Sequence, residues 1–259
     1  VIPFFRRIRR NILSEGKTGK YIKYALGEIF LVVVGILIAL QINTWNNNRI
    51  NSYKEHEYLM GIKNDLENQI AALNGRLQIF DVIIDKGESI ISDFTTKGNL
   101  TAIDSINTKL SYMMYALHYP EAQTTFNELS ATGQINLIRE KALRLKIISY
   151  YQLSEDTKSN VSSNVAAVFY DRIFPIVQSS VIVHFEDFGF ITEKVSKERL
   201  TEKLLPAFQA ILDDPHKEFE IINAVSLRVL ETNTNKGHLQ IAKGNAEALL
   251  ADIESELSH

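Results

Sequence analysis

The run "IFLVVVGILIAL", residues 29–40, holds twelve consecutive positions without one polar side chain. A stretch this apolar is a buried core helix, a cleaved signal peptide or a membrane anchor. A spanning helix needs about 20 mostly apolar residues. Residues 24–42 meet that need, with only Glu28 and Gln41 strongly polar. Tyr24 to Trp45 is 21 steps, roughly 32 Å at about 1.5 Å each, close to the hydrocarbon thickness of a bilayer. Tyr21 and Tyr24 flank one end and Trp45 the other. Aromatic rings with a polar tip settle at the two membrane interfaces. A core helix explains none of these flanks, so residues 24–45 are expected to form a transmembrane segment.

The charge pattern supports this reading. Residues 1–23 carry Arg6, Arg7, Arg9, Arg10, Lys17, Lys20 and Lys23 against Glu15 alone. Beyond Trp45 there are 21 basic and 29 acidic residues. A basic tail suits nucleic acid or a membrane surface. Its junction with the apolar run decides for the bilayer, and no nucleic-acid partner is expected. The positive-inside rule puts residues 1–23 in the cytoplasm and residues 46–259 outside, in the periplasm of a diderm bacterium. No small-x-small cleavage site follows the run, so an uncleaved signal anchor in the inner membrane is expected. Phe4, Phe5, Ile8, Ile12 and Leu13, interleaved with the arginines, suit an amphipathic helix on the inner leaflet as well as a plain topogenic tail.

Gly27, Leu31, Gly35 and Ala39 recur at intervals of four, and Gly35 with Ala39 makes a small-xxx-small pair. Such pairs let two helix backbones approach. They point to association with a second copy or with another subunit of a membrane complex. Glu28 stands beside this ridge, about one turn inside the cytoplasmic end. An ionisable group there can anchor locally, and ion conduction is the functional alternative.

After the membrane segment, Leu59, Ile62, Leu66, Ile70, Leu73, Leu77, Phe80 and Ile84 recur at three- and four-residue spacings. This is a helix with one buried stripe. "TKGN", residues 96–99, ends it. Residues 101–119 read as a second helix stopped by Pro120, and 121–132 as a third closed by Gly133. Asn136 can cap a long helix that kinks or ends at Pro175. Residues 181–190 read as β-like or irregular. Thr201 can cap a helix to Leu212, interrupted near Pro206. Pro215 at N1 opens the last helix, towards Leu257, weakened locally by Gly237 and Gly244. The expected fold class is all-α, a single N-terminal transmembrane helix followed by a long-helix bundle.

Chemistry is sparse in this sequence. There is no Cys, which excludes disulfides, thiolate metal sites and Cys nucleophiles. No Gly-rich phosphate loop, HExxH, GxSxG or EF-hand loop occurs. His184 with Glu186 and Asp187 is the densest set of metal-ligating side chains, and near neighbours in an irregular stretch make poor ligand sets. No catalytic residue, cofactor or metal is expected. "TTFNELSATGQINLIREKALRLKIISYY", residues 124–151, reads as a helix–turn–helix corner in which Gly133 supplies the positive φ. Lining a ligand pocket is the alternative reading of that stretch.

The block "FFRRIRR…KYIKYALGEIFLVVVGILIALQINTWN" and the corner "TFNELSATGQINLIREKALRLKIISYY" resemble a family of uncharacterised bacterial membrane proteins common in the Bacteroidetes. The resemblance implies one anchor and a periplasmic helical domain over essentially the whole chain. It supplies no activity, cofactor or catalytic residue. Three functions are therefore weighed. The leading one is a non-enzymatic, membrane-anchored interaction or scaffold protein. The others are a periplasmic ligand-binding sensor that signals through a partner, and a component of an ion-driven machine that uses Glu28.

Overall fold

A computed structural model describes residues 18–184, 187, 194 and 196–258. Among these residues there is no strand, and the protein is all-α. Helix α1, Thr18–Lys97, is 80 residues long and carries both the apolar run and the amphipathic stripe. No Pro interrupts it. Gly98 ends it at φ 81, in the left-handed region that glycine enters freely, and donates its N–H to Phe94 O. The chain divides into two compact units, Val1–Glu57 and Tyr58–His259. Of the first, the described part is one helical stretch with its apolar side chains exposed.

The second unit is the bundle. After α1 come α2 (Ile106–Tyr112), α3 (Thr124–Ala131), a 3-10 turn (Gln134–Leu137) and α4 (Lys141–Asn164). A π-helical stretch (Val165–Ile173), α5 (Phe174–Gln178), α6 (Lys197–Leu212) and α7 (Pro215–Leu257) complete it. Lys63 meets Glu254 at 2.6 Å, Lys236 meets Asp81 at 2.6 Å, and Leu100 N donates to Glu218 at 2.8 Å. Residue numbers thus rise on α1 as they fall on α7, and the two run antiparallel. Lys146 with Asp252 and Asn164 with Asn235 set α4 antiparallel to α7 in the same way. Helices α1 and α4 therefore run in the same direction. The chain between them must return along the bundle, and residues 115–123 do so without regular structure.

The buried ladder on α1 is Leu59, Ile62, Leu66, Gln69, Leu73, Phe80, Ile83, Gly87 and Ile90. It keeps a 3.5-residue period, so it drifts off the apolar pattern read from the sequence. Ile70, Leu77 and Ile84 of that pattern are only partly buried. Two apolar clusters form around the ladder. One holds Leu59, Ile62 and Leu66 with Leu129, Ile138, Ile147 and Ile253. The other begins at Leu73 and takes in Phe80, Ile83, Leu110, Phe169 and Val225. At Gly87 a side chain would meet Val229 Cγ2 at 2.4 Å, so α1 and α7 approach closely there.

Several elements differ from the sequence expectation, each for a local reason. The helix expected over 101–119 shrinks to α2. Ser105 sits at φ 55, and Asn99 Oδ1 holds Ala102 N in a turn before it. Asn136 does not cap α4; it lies in the 3-10 turn, and the Glu140 carboxylate accepts from Ala142 N instead. Pro175 does not end helical structure. The π-helical stretch leads directly into α5, which carries Pro175 in its first turn. Ser196, rather than Thr201, caps α6, and Pro206 sits inside that helix without breaking it. Residues 185, 186, 188–190 of the expected β-like stretch lie outside the described residues. Its start, Ile182, is held at both backbone groups by Asn107.

Replacing Ile83, fully buried, with Ala should destabilise the bundle by about 2–5 kcal/mol. Ile84→Ala should lose clearly less, although both residues are equally apolar. Chemical denaturation of the detergent-solubilised chain measures the difference, and equal losses would refute the ladder.

Candidate functional site

The largest unpartnered feature is the apolar stretch of α1. Its large side chains from Ile22 to Trp45 are exposed apart from the half-buried Val34, Phe30 by 67% and Val33 by 46%. The core helix of a soluble protein would be mostly covered, and no part of the most apolar window here is buried. The stretch is long and apolar enough to cross a membrane. A helix suits that role because it satisfies every backbone N–H and C=O within one segment.

Gly27, Leu31, Gly35 and Ala39 are all exposed on a ridge of this helix. No atom lies within 4 Å of where a Cβ would stand at Gly27 or Gly35. Glu28 is half-buried beside the ridge. Tyr24 is exposed at one end. At the other, the Arg49 guanidinium lies 5.7 Å from the Trp45 ring centre, a cation–π contact suited to an interfacial position. The side chain of Tyr21 and all of Arg6, Arg7, Arg9 and Arg10 lie outside the described residues. The proposed amphipathic tail falls there too.

Within the bundle, two polar groups of residues interrupt the apolar interior. The first is a belt between the two clusters, centred on Gln69. Gln69 Oε1 accepts from the Tyr150 hydroxyl at 2.7 Å. Its Nε2 donates to the Tyr119 hydroxyl at 2.8 Å and to Pro120 O at 3.3 Å. Tyr119 and Ser154 close the ring at 2.9 Å. The belt ties the returning segment to α1 and α4 at once. Below it, Asp65 accepts from Thr125 N at 2.8 Å, and Phe126 stacks on Tyr151 at 4.1 Å. The 124–151 corner is thus filled by its own aromatic and aliphatic side chains. Burial, with the nearby Tyr119 and Tyr151, holds the Tyr150 phenol above its ordinary range. Burial and then the Asp65 charge do the same for Tyr151.

The second is an ion pair inside the larger cluster. Arg228 is 1% exposed and bonds Glu231 and the Tyr115 carbonyl. Asn235 donates to the other oxygen of Glu231, and Asn164 donates to Asn235 at 2.8 Å. The π-helical stretch lays the Phe169 ring 4.6 Å from the guanidinium. Burial pushes the Glu231 carboxyl up and the guanidinium down, and each partner opposes the other's shift. Sequence reasoning passed over this pair. Its only signal was an i,i+3 Arg–Glu pair among apolar residues, which reads equally well as a surface bridge.

Among the described residues no three His, Asp or Glu side chains are placed to hold a metal. Asp187 pairs with Lys197 at 3.1 Å, and His184 Nε2 stands 3.3 Å from the Thr201 hydroxyl. Glu186 lies outside the described residues. The apolar segment, rather than a chemical constellation, is therefore the functional feature that these residues offer.

These features define an all-helical bundle preceded by one long apolar helix. A family model described as a family of unknown function (DUF6090) matches residues 28–198, from Glu28 to the first turn of α6. The chain belongs to that family. The match takes in the apolar run and the Gln69 belt, and it stops short of α7. No curated protein matches the chain, and no solved structure matches it.

Gln69→Leu strands the Tyr150 hydroxyl and Pro120 O in the interior and leaves Tyr119 and Ser154 only each other. An unsatisfied buried group costs about 1–3 kcal/mol, so the variant should lose more than about 2 kcal/mol. Adding Tyr150→Phe should restore part of the loss, as urea denaturation would show. The tyrosines also set an alkaline limit. Their folded pKa values are raised, so the stability they carry is intact below the ordinary Tyr value of about 10 and is lost as pH rises past it. Tyr150→Phe should flatten the alkaline slope of the melting temperature.

Proposed function

We propose that the protein is a membrane-anchored helical interaction protein, a scaffold or accessory subunit of a membrane complex without catalytic activity of its own. The observation that carries this reading is the contrast between the two units. The apolar stretch of the first is exposed almost throughout, while the polar groups inside the second are spent largely on one another. The lipid bilayer is the first partner. The ridge of Gly27, Leu31, Gly35 and Ala39 suits a second helix, from another copy or another subunit, and Glu28 beside it suits local anchoring near the headgroups. The basic balance of residues 1–23 favours a cytoplasmic N-terminus and a periplasmic bundle in a bacterial inner membrane. No small-molecule ligand is assigned.

The full chain should remain in the membrane pellet after alkaline carbonate extraction. Val33→Arg with Leu37→Arg should release it, because each central charge costs about 2.5–3.5 kcal/mol of insertion free energy. A cysteine placed at Ser162, exposed on α4, should react with an impermeant maleimide from the periplasmic side. Release of the unmodified chain by carbonate would refute the anchor, and labelling only from the cytoplasm would refute the orientation.

A further inference from the structure

Past the apolar run, α1 becomes two-sided. Ile42, Trp45, Arg49 and Tyr53 follow one another at steps of three, four and four. At about 100° per residue they fall within an arc of about 80°. All four are exposed, Trp45 by 64% and Tyr53 by 67%. Ile50, also exposed, flanks the arc. The opposite side carries Asn43, Thr44, Asn47, Asn51 and Lys54, every one polar and exposed. The Arg49 guanidinium lies 5.7 Å from the Trp45 ring centre, within the same arc. The run before is apolar all round, whereas residues 42–54 are amphipathic.

We infer that the face formed by Ile42, Trp45, Arg49, Ile50 and Tyr53 is a seat for phospholipid headgroups, with Arg49 on their phosphates. The inference rests on the membrane-anchored reading above and names what α1 touches once it has left the hydrocarbon. Three observations select lipid as the occupant. The face continues the exposed apolar stretch within one unbroken helix. Its reach fits a bilayer: Tyr24 to Tyr53 is 29 steps, about 44 Å, against roughly 40–45 Å for a bilayer with its headgroups. Trp45 thus stands at the edge of the hydrocarbon and Tyr53 at the edge of the headgroup layer. The residue types fit as well. Trp and Tyr present an apolar body and a polar tip, and the planar fork of Arg can bind a phosphate through two N–H groups at once.

A second helix suits this face less well. In a parallel second copy Arg49 would meet Arg49. The ridge of Gly27, Leu31, Gly35 and Ala39 lies on the same side of α1, yet helices paired through such residues commonly cross at about 40° and spread apart towards the surface. A pair joined at the ridge therefore leaves the seat to lipid. Because the seat is on one side only, it sets the rotation of α1 about its own axis as well as its depth.

The chain has no cysteine, so a nitroxide on a single introduced cysteine reports one position cleanly. The full chain in phosphatidylcholine and phosphatidylglycerol vesicles would be labelled at Asn47→Cys, Ile50→Cys, Asn51→Cys and Tyr53→Cys. Collision with oxygen, which partitions into lipid, is compared with collision with a water-soluble nickel chelate. The oxygen-to-nickel ratio should be at least about threefold higher at 53 than at 51, and higher at 50 than at 47, as for an interfacial amphipathic helix. In each pair the favoured position lies further along the chain from the membrane, so depth alone predicts the opposite order. Adding Arg49→Gln to Tyr53→Cys should lower the ratio at 53 at least about twofold. A ratio that falls steadily from 47 to 53 would overturn the seat, and indifference to Arg49→Gln would overturn the phosphate contact. Protection of 50 and 53 from both reagents would overturn lipid as the occupant, since a protein would then cover the face. Carbonate extraction of the same vesicles reads the anchor separately: release of the chain would sink the anchor and the seat together, while retention with the steady fall would sink the seat alone.

Discussion

A lone segment in hydrocarbon must satisfy its backbone N–H and C=O groups within itself, and the helix is the one form that does so. That requirement shapes α1. The same hydrogen-bonded helix continues past the apolar run without an end, so the element that suits a membrane also supplies the longest surface on which the bundle is built. Its buried ladder, from Leu59 to Ile90, is the face against which the second unit packs.

The polar belt follows from the direction of the helices. With α1 and α4 running the same way, the chain between them must travel back along the bundle. A return without regular structure exposes backbone groups to an apolar interior, where an unpaired group is costly. Gln69 answers one of them through Pro120 O and fixes the segment through Tyr119, while Tyr150 and Ser154 complete the ring from α4. The buried Arg228–Glu231 pair serves similarly at the Tyr115 carbonyl. Both groups of residues act as fasteners for non-helical chain, which explains why so apolar an interior tolerates them.

The sequence by itself determined the apolar segment, the all-α class, the end of α1 at Gly98, the turn at Gly133 and the start of α7 at Pro215. Each depends on local chemistry: hydropathy over one segment, glycine's access to positive φ, or proline's missing N–H. Only the tertiary structure decided which of Ile83 and Ile84 is buried, because the ladder's 3.5-residue period is set by the neighbouring helices. Only it showed that Gln69 is a core residue, that Pro175 lies in the first turn of α5, and that residues 115–123 lack regular structure rather than being helical. Those outcomes rest on partners distant in the chain, such as Tyr119 and Tyr150 for Gln69, which no local pattern can bring together.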